Sequence, residues 1–171
     1  MTSLLTAARR HTVTTTDLGD ITLVARGDTI EGLYFPRHWY KPDPATFGPR
    51  VDAGFDDVIR ELREYLGGRR RRFSVPVRAD GDVLQRRVWD LISEIPYGAT
   101  TSYGALAAEL EADADARRVG AMVGRNPLAI LIPCHRVVGS TGSLTGYAGG
   151  LARKRFLLDL EQTNLAGSES R

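Results

Sequence analysis

The chain has 171 residues, 42% hydrophobic and 26% charged, enough apolar material for a core in one large domain or two small ones. Its longest uninterrupted apolar run, residues 128–132, cannot span a bilayer, and the N-terminus shows no hydrophobic region of signal-peptide length, so a cytoplasmic protein is expected. The net charge of +2 is compatible with nucleic acid but equally with many soluble enzymes.

Residues 12–35 read as strands, with β-branched, partly alternating runs broken at Leu18-Gly19-Asp20 and Arg26-Gly27-Asp28. Four prolines, at 36, 42, 44 and 49, mark a loop. Phe55, Val58, Ile59, Leu62, Tyr65 and Leu66 recur at helical spacing, and Gly67-Gly68 stops that helix. The arginine run 69–72 reads as a solvated loop in preference to a phosphate contact, and a strand, FSVPV, is expected after it. Residues 78–82 look like a linker. Beyond them Leu84, Val88, Leu91 and Ile92, with Trp89 beside them, make one apolar helical face that ends at Ile95-Pro96-Tyr97-Gly98.

Thr100, Thr101 and Ser102 offer capping hydroxyls before a helix over 103–110, and a short acidic connection leads to a second helix over 116–124. Two helices so joined suggest a helix-turn-helix. An extended segment, LAILIPCHRVV, a glycine-rich loop over 139–150 and a helix over 151–161 follow, and the polar tail from Gln162 is expected to be loose. Helix 116–124 carries Ala116, Gly120 and Gly124 at intervals of four, a stripe that suits close approach to another surface or tight helix packing equally well.

Of 23 basic residues only Lys41 and Lys154 are lysine, a bias that suits phosphate and base contacts and that a GC-rich genome would also produce. The only cysteine is Cys134, which excludes an intramolecular disulfide, and His11, His38 and His135 lack metal-ligand spacing, so no metal is expected. A lone cysteine is either a buried filler or a reactive thiol. Here it follows a proline and precedes His135 and Arg136, cationic neighbours expected to favour the thiolate. His135 would act through a bridging water, because adjacent side chains diverge; sequence spacing alone does not nominate the group that orients it, for which Glu161 on the final helix is a plausible acid.

The context carries more. In order along residues 84–161 stand Gln85, Val88-Trp89, the IPYG segment, Ser102-Tyr103-Gly104, Asn126-Pro127, ILIP, PCHRV, Gly146-Tyr147-Ala148-Gly149-Gly150-Leu151, Lys154 and Leu157-Leu158. This series resembles the methylated-DNA–protein-cysteine methyltransferases, or alkylguanine-DNA alkyltransferases. The resemblance implies an α+β chain, with a strand-rich, ribonuclease H-like N-terminal domain over 1–80 and a helical domain with a helix-turn-helix over 81–171. It implies single, irreversible transfer of an alkyl group from O6-alkylguanine in double-stranded DNA to Cys134, by a monomer without cofactor, the base having first been rotated out of the duplex.

By resemblance Cys134 is the acceptor, served by a water, His135 and Glu161. Tyr103 hydrogen-bonds the flipped base, and Asn126 braces the active-site turn. Arg117 fills the vacated space in the duplex, with a one-residue ambiguity toward Arg118, and Ala116 and Gly120 lie on the same DNA-facing helix. Tyr147, Ala148, Val137 and Lys154 are assigned to the substrate pocket.

The turn at 111–115 departs from the family pattern, having no glycine or proline and three acids, Glu111, Asp113 and Asp115, near the expected phosphates. Like charge there should weaken DNA binding. Three rivals remain: a lesion-flagging relative, which would lack the cysteine; a cysteine hydrolase, which would bring its histidine from a distant segment; and a regulator, which would need a sensor or dimerisation segment.

Overall fold

The computed structural model describes residues 7–111 and 114–169. The alternating N-terminal runs form an antiparallel meander of Arg9–Thr16 (β1), Gly19–Arg26 (β2) and Thr29–Tyr34 (β3). Period-two geometry sends Ile21, Leu23 and Ala25 into the main core, while Val24 on the opposite face packs with Tyr34 and Phe47. The proline-rich stretch is loop apart from a 3-10 turn, Pro44–Phe47, that brings the Phe47 ring flat onto Tyr34 at 5.4 Å.

FSVPV does not become a strand. It makes one parallel bridge, Val77 to Ile30, because Pro76 can accept from Ile30 N but has no N–H with which to extend a ladder. The helix Asp56–Leu66 (α1) buries Val58, Leu62, Tyr65 and Leu66, as its spacing predicts. The arginine run after it is pinned to the surface rather than simply solvated, with Arg70 on Glu64 at 2.8 Å and the Arg71 guanidinium over the Tyr97 ring.

The linker at 78–82 ends in a capping box, in which Asp82 caps the helix Val83–Ser93 (α2) and Gln85 returns the bond. Ser102 caps Tyr103–Glu109 (α3), and Asp115 caps Ala116–Gly124 (α4). Helices α3 and α4 pack on each other as the expected helix-turn-helix pair, and Trp89 Nε1 ties α2 to α4 by donating to Met122 O at 3.0 Å. Of the acidic turn between them, Ala112 and Asp113 lie outside the described residues.

The segment 128–138 is not extended throughout. Leu131 N, Ile132 N and Cys134 N bond back to Ala129 O, Leu128 O and Ile132 O, and Ile130 takes φ of 71°. Only Val137–Val138 (β5) is strand, parallel to Thr101–Ser102 (β4). A short apolar run fits a buried turn as well as a buried strand, so its composition misleads here.

The last helix, Leu151–Glu169 (α5), runs past residue 161. Tertiary contacts hold what the composition marks as loose: Asn164 Nδ2 donates to Gly68 O at 2.7 Å and to the Tyr97 hydroxyl at 3.1 Å. One apolar cluster takes residues from both halves of the chain, including Leu33, Phe35, Trp89, Leu128 and Leu157, and Leu33 N donates to Pro127 O at 2.8 Å.

Gly98, at φ of 78°, lies where a Cβ would collide with the Leu165 side chain of α5. Left-handed backbone costs an L-residue roughly 1–2 kcal/mol before any clash. Gly98→Ala is expected to lower stability by more than about 2 kcal/mol. Urea unfolding followed by circular dichroism checks this, and an unchanged midpoint would show that α5 yields freely.

Candidate active site

The site is built around the carboxylate of Glu161, on the inward face of α5 and 1% exposed. Five donor hydrogen bonds converge on it. Its Oε1 accepts from Arg136 Nε at 2.7 Å and Gly98 N at 3.0 Å. Its Oε2 accepts from His135 Nε2 at 2.6 Å, Tyr65 OH at 2.6 Å and Arg136 Nη2 at 3.1 Å. Burial pushes the Glu161 carboxyl up, but the bonds from His135, Arg136 and Tyr65 prevail and hold it at about 2. An ionised carboxylate only accepts, so the neutral imidazole carries its proton on Nε2. The other nitrogen, Nδ1, is buried with no partner among the described residues and has its lone pair available.

Burial also pushes His135 down; the bond to Glu161 opposes this, and the ring is held neutral below its usual range. Cys134 opens the 3-10 turn Cys134–Arg136, 4% exposed. Burial raises its thiol, against a hydrogen bond from Asn126 and the charge of Lys154. This corrects the expectation that adjacent cations favour the thiolate. His135 is neutral, Arg136 is consumed by Glu161 and the carbonyl of Ile95, and the cation that bears on the sulfur is Lys154.

Asn126 holds the turn from both sides, with Nδ2 donating to Ile132 O and Oδ1 accepting from Leu128 N, each at 2.9 Å. Lys154 is fully enclosed, and Nζ donates to Val137 O at 2.6 Å, Gly146 O at 3.0 Å and Thr145 O at 3.2 Å. Burial lowers it to about 8, with Cys134 pulling the other way.

Cys134 lies in the wall of a cavity of about 530 Å³, opposite α4. Ala116, Gly120 and Gly124 all line it, so the small-residue stripe is a cavity wall, and Gly120 faces the Tyr103 ring. Arg117 stands at the mouth, whereas Arg118 does not line the cavity, and its backbone N–H is spent on the Asp115 cap. Tyr103, Tyr147 and Ala148 also line the cavity. The Tyr103 hydroxyl donates to Thr145 O at 2.9 Å, and Tyr147 keeps a buried hydroxyl with no partner among the described residues.

Two family models match the chain: 6-O-methylguanine DNA methyltransferase, ribonuclease-like domain, over residues 10–79, and the DNA binding domain of the same name over 83–163. A methylated-DNA–protein-cysteine methyltransferase of Mycobacterium bovis is 40% identical over 146 residues, covering 85% of this chain and 88% of that protein. The chain belongs to this methyltransferase family. The inducible methyltransferase of Bacillus subtilis is 50% identical over 145 residues, covering 78% of this chain and 81% of that one. A solved structure from Mycobacterium tuberculosis, described as OGT in complex with DNA, superposes with TM-score 0.83 at 36% identity, over 91% of this chain and 94% of that one.

In this methyltransferase fold, Val137 and Lys154 stand behind the cavity rather than in its wall. Val137 is core and offers only its carbonyl, to the lysine. Sequence reasoning misses Tyr65, which reads as one more apolar position of α1, and Trp39, 55% exposed at the cavity rim in a proline-rich loop without a motif. Among the described residues no helix is long and apolar enough to cross a membrane, and no cluster of three or more His, Cys, Asp or Glu is placed to hold a metal ion.

Because the Glu161 carboxyl is depressed on folding, its stabilisation is complete above about 4.5 and is lost as pH falls from there toward about 2. Stability of the wild type should decline across that window, and Glu161→Gln should be less stable at neutral pH with a shallower decline. Denaturant midpoints measured across the window test it; parallel curves would remove Glu161 as their source.

Proposed function

We propose that this protein repairs DNA by moving an alkyl group from O6-alkylguanine to Cys134, irreversibly and once per molecule. The observation that carries this is the thiol in the wall of an open cavity lined by α4, with a neutral histidine on a buried carboxylate behind it.

The Cys134 proton passes to His135 Nδ1 through a water. The thiolate attacks the alkyl carbon in line, the carbon–oxygen bond breaks, and its electron pair goes to the guanine oxygen. Tyr103, its hydroxyl kept neutral by burial, is a donor for the leaving base. Lys154 steadies the transient thiolate, and Asn126 holds the turn so that sulfur and alkyl carbon meet. Arg117 at the rim is the residue to occupy the space a flipped base leaves in double-stranded DNA. Division into domains at about residue 80 suits the two family matches, and a DNA substrate suits a cytoplasmic location. No cofactor enters the reaction.

Incubation with an oligonucleotide containing methylated guanine should add one methyl group to the intact mass, and none in Cys134→Ala. Retained lesion binding without added mass would instead make the protein a damage-flagging module.

The acidic connection also bears on affinity. Asp115 is spent as the α4 cap through Arg118 N at 2.8 Å, so its charge is tied to the helix, while Glu111 is exposed. Asparagine retains capping ability, so the triple variant Glu111→Gln, Asp113→Asn, Asp115→Asn removes charge without uncapping α4. It should bind DNA several-fold more tightly at low salt, with the gain shrinking as screening rises. Equal affinities at low salt would show that the turn stays clear of phosphates.

A further inference from the structure

We propose that Tyr65 is a positioning residue for alkyl transfer: its hydroxyl, supplied by α1 from the N-terminal half, fixes the Glu161 carboxylate that holds His135. The assignment rests on the reaction proposed above and adds to it a residue of the strand-rich half.

Tyr65 and His135 donate to the same oxygen, Glu161 Oε2, each at 2.6 Å, and the hydroxyl lies 3.4 Å from His135 Nε2. A core tyrosine needs only to bury its ring and find any acceptor. This one finds the oxygen that orients the base. Its ring has no freedom to look elsewhere: it is 1% exposed, with Phe73 at 5.3 Å and Tyr97 at 6.2 Å between ring centres. Glu161 Oε1 is already filled by Arg136 and Gly98, so the carboxylate cannot turn to exchange its partners.

The chemical consequence has a definite sign. The Tyr65 O–H draws negative charge from Oε2, which makes that oxygen a weaker partner for an imidazolium. Without the hydroxyl, Oε2 is left to His135 and Arg136 Nη2, and His135 takes up a proton more readily. The other charged groups bearing on His135, Arg136 and Lys154, stay in place, as do the adjacent Cys134 and Tyr97 beside Tyr65. A base already protonated cannot receive the thiol proton, so the acidic limb of the pH–rate profile moves upward.

The test is the single-turnover rate of methyl transfer from an oligonucleotide, measured across pH. Tyr65→Phe should react on the order of tenfold more slowly at neutral pH, the scale expected for losing one hydrogen bond to a charged group, with its acidic limb at higher pH. A fluorotyrosine at position 65, a stronger donor that keeps the ring, should move the limb to lower pH and keeps the test available if the Phe variant does not fold. Tyr97→Phe is the control, since that hydroxyl pairs with Asn164 and should leave the profile in place. DNA binding by Tyr65→Phe in the Cys134→Ala background should be unchanged. A profile that keeps its limb in both Tyr65 variants, whatever the rate, overturns the assignment and leaves Tyr65 a core residue. Absence of methyl transfer by the wild type overturns the underlying reaction, and the assignment with it.

Discussion

A carboxylate buried to 1% exposure is among the more expensive things a protein can enclose, because its charge must be met on every side or neutralised. Glu161 is met by a histidine, an arginine fork, a tyrosine hydroxyl and a backbone N–H, drawn from three separate stretches of chain. Each partner constrains the element that carries it. Helix α1 must present Tyr65, the IPYG turn must present Gly98 N, the cysteine turn must send His135 and Arg136 inward, and α5 must lie across them all. The geometry around Cys134 follows from satisfying one charge.

That convergence requires close approach, and the chain makes room with residues that have little or no side chain. A Cβ on Gly149 would meet Phe35 at 2.5 Å, so the loop walling the cavity can press against the β-sheet half. Arg153 then crosses from α5 to Leu18 O at 2.8 Å with its guanidinium over the Phe35 ring. Along α4, Ala116, Gly120 and Gly124 leave the cavity open where larger side chains would fill it. The two halves are therefore joined by shared core and by polar pins, and the site sits at their junction.

Much of this is legible in the sequence, and the losses have physical causes. Period-two and period-3.6 patterns locate the meander and the helices because one face of each is buried. The acceptor cysteine, His135, Asn126, Tyr103 and Glu161 stand in an ordered motif series. The ILIPCHR stretch misleads because an apolar run says that a segment is buried, not how its backbone turns, and Ile130 at positive φ bears no local mark. Nearness in sequence also misstates charge: Arg136 is two positions from Cys134 in the chain, yet its guanidinium serves Glu161, while Lys154, twenty positions on, bears on the sulfur. Tyr65 and Trp39 act across the fold, and no local pattern distinguishes them from ordinary core and surface aromatics.

The order in which a ribosome delivers these parts gives the last helix a further meaning. Cys134 and its turn are synthesised before Lys154 and Glu161, and the contact from Tyr65 to Glu161 closes a separation of 96 residues. Long-range contacts of this kind form late, because loop closure must precede them. A nascent chain therefore carries a cysteine with neither its cation nor the carboxylate that orients His135 in place. Docking of α5 completes the core and brings both groups to the cysteine turn in one event, so on the proposed mechanism a molecule that can be used only once has no chemistry to spend before it is whole.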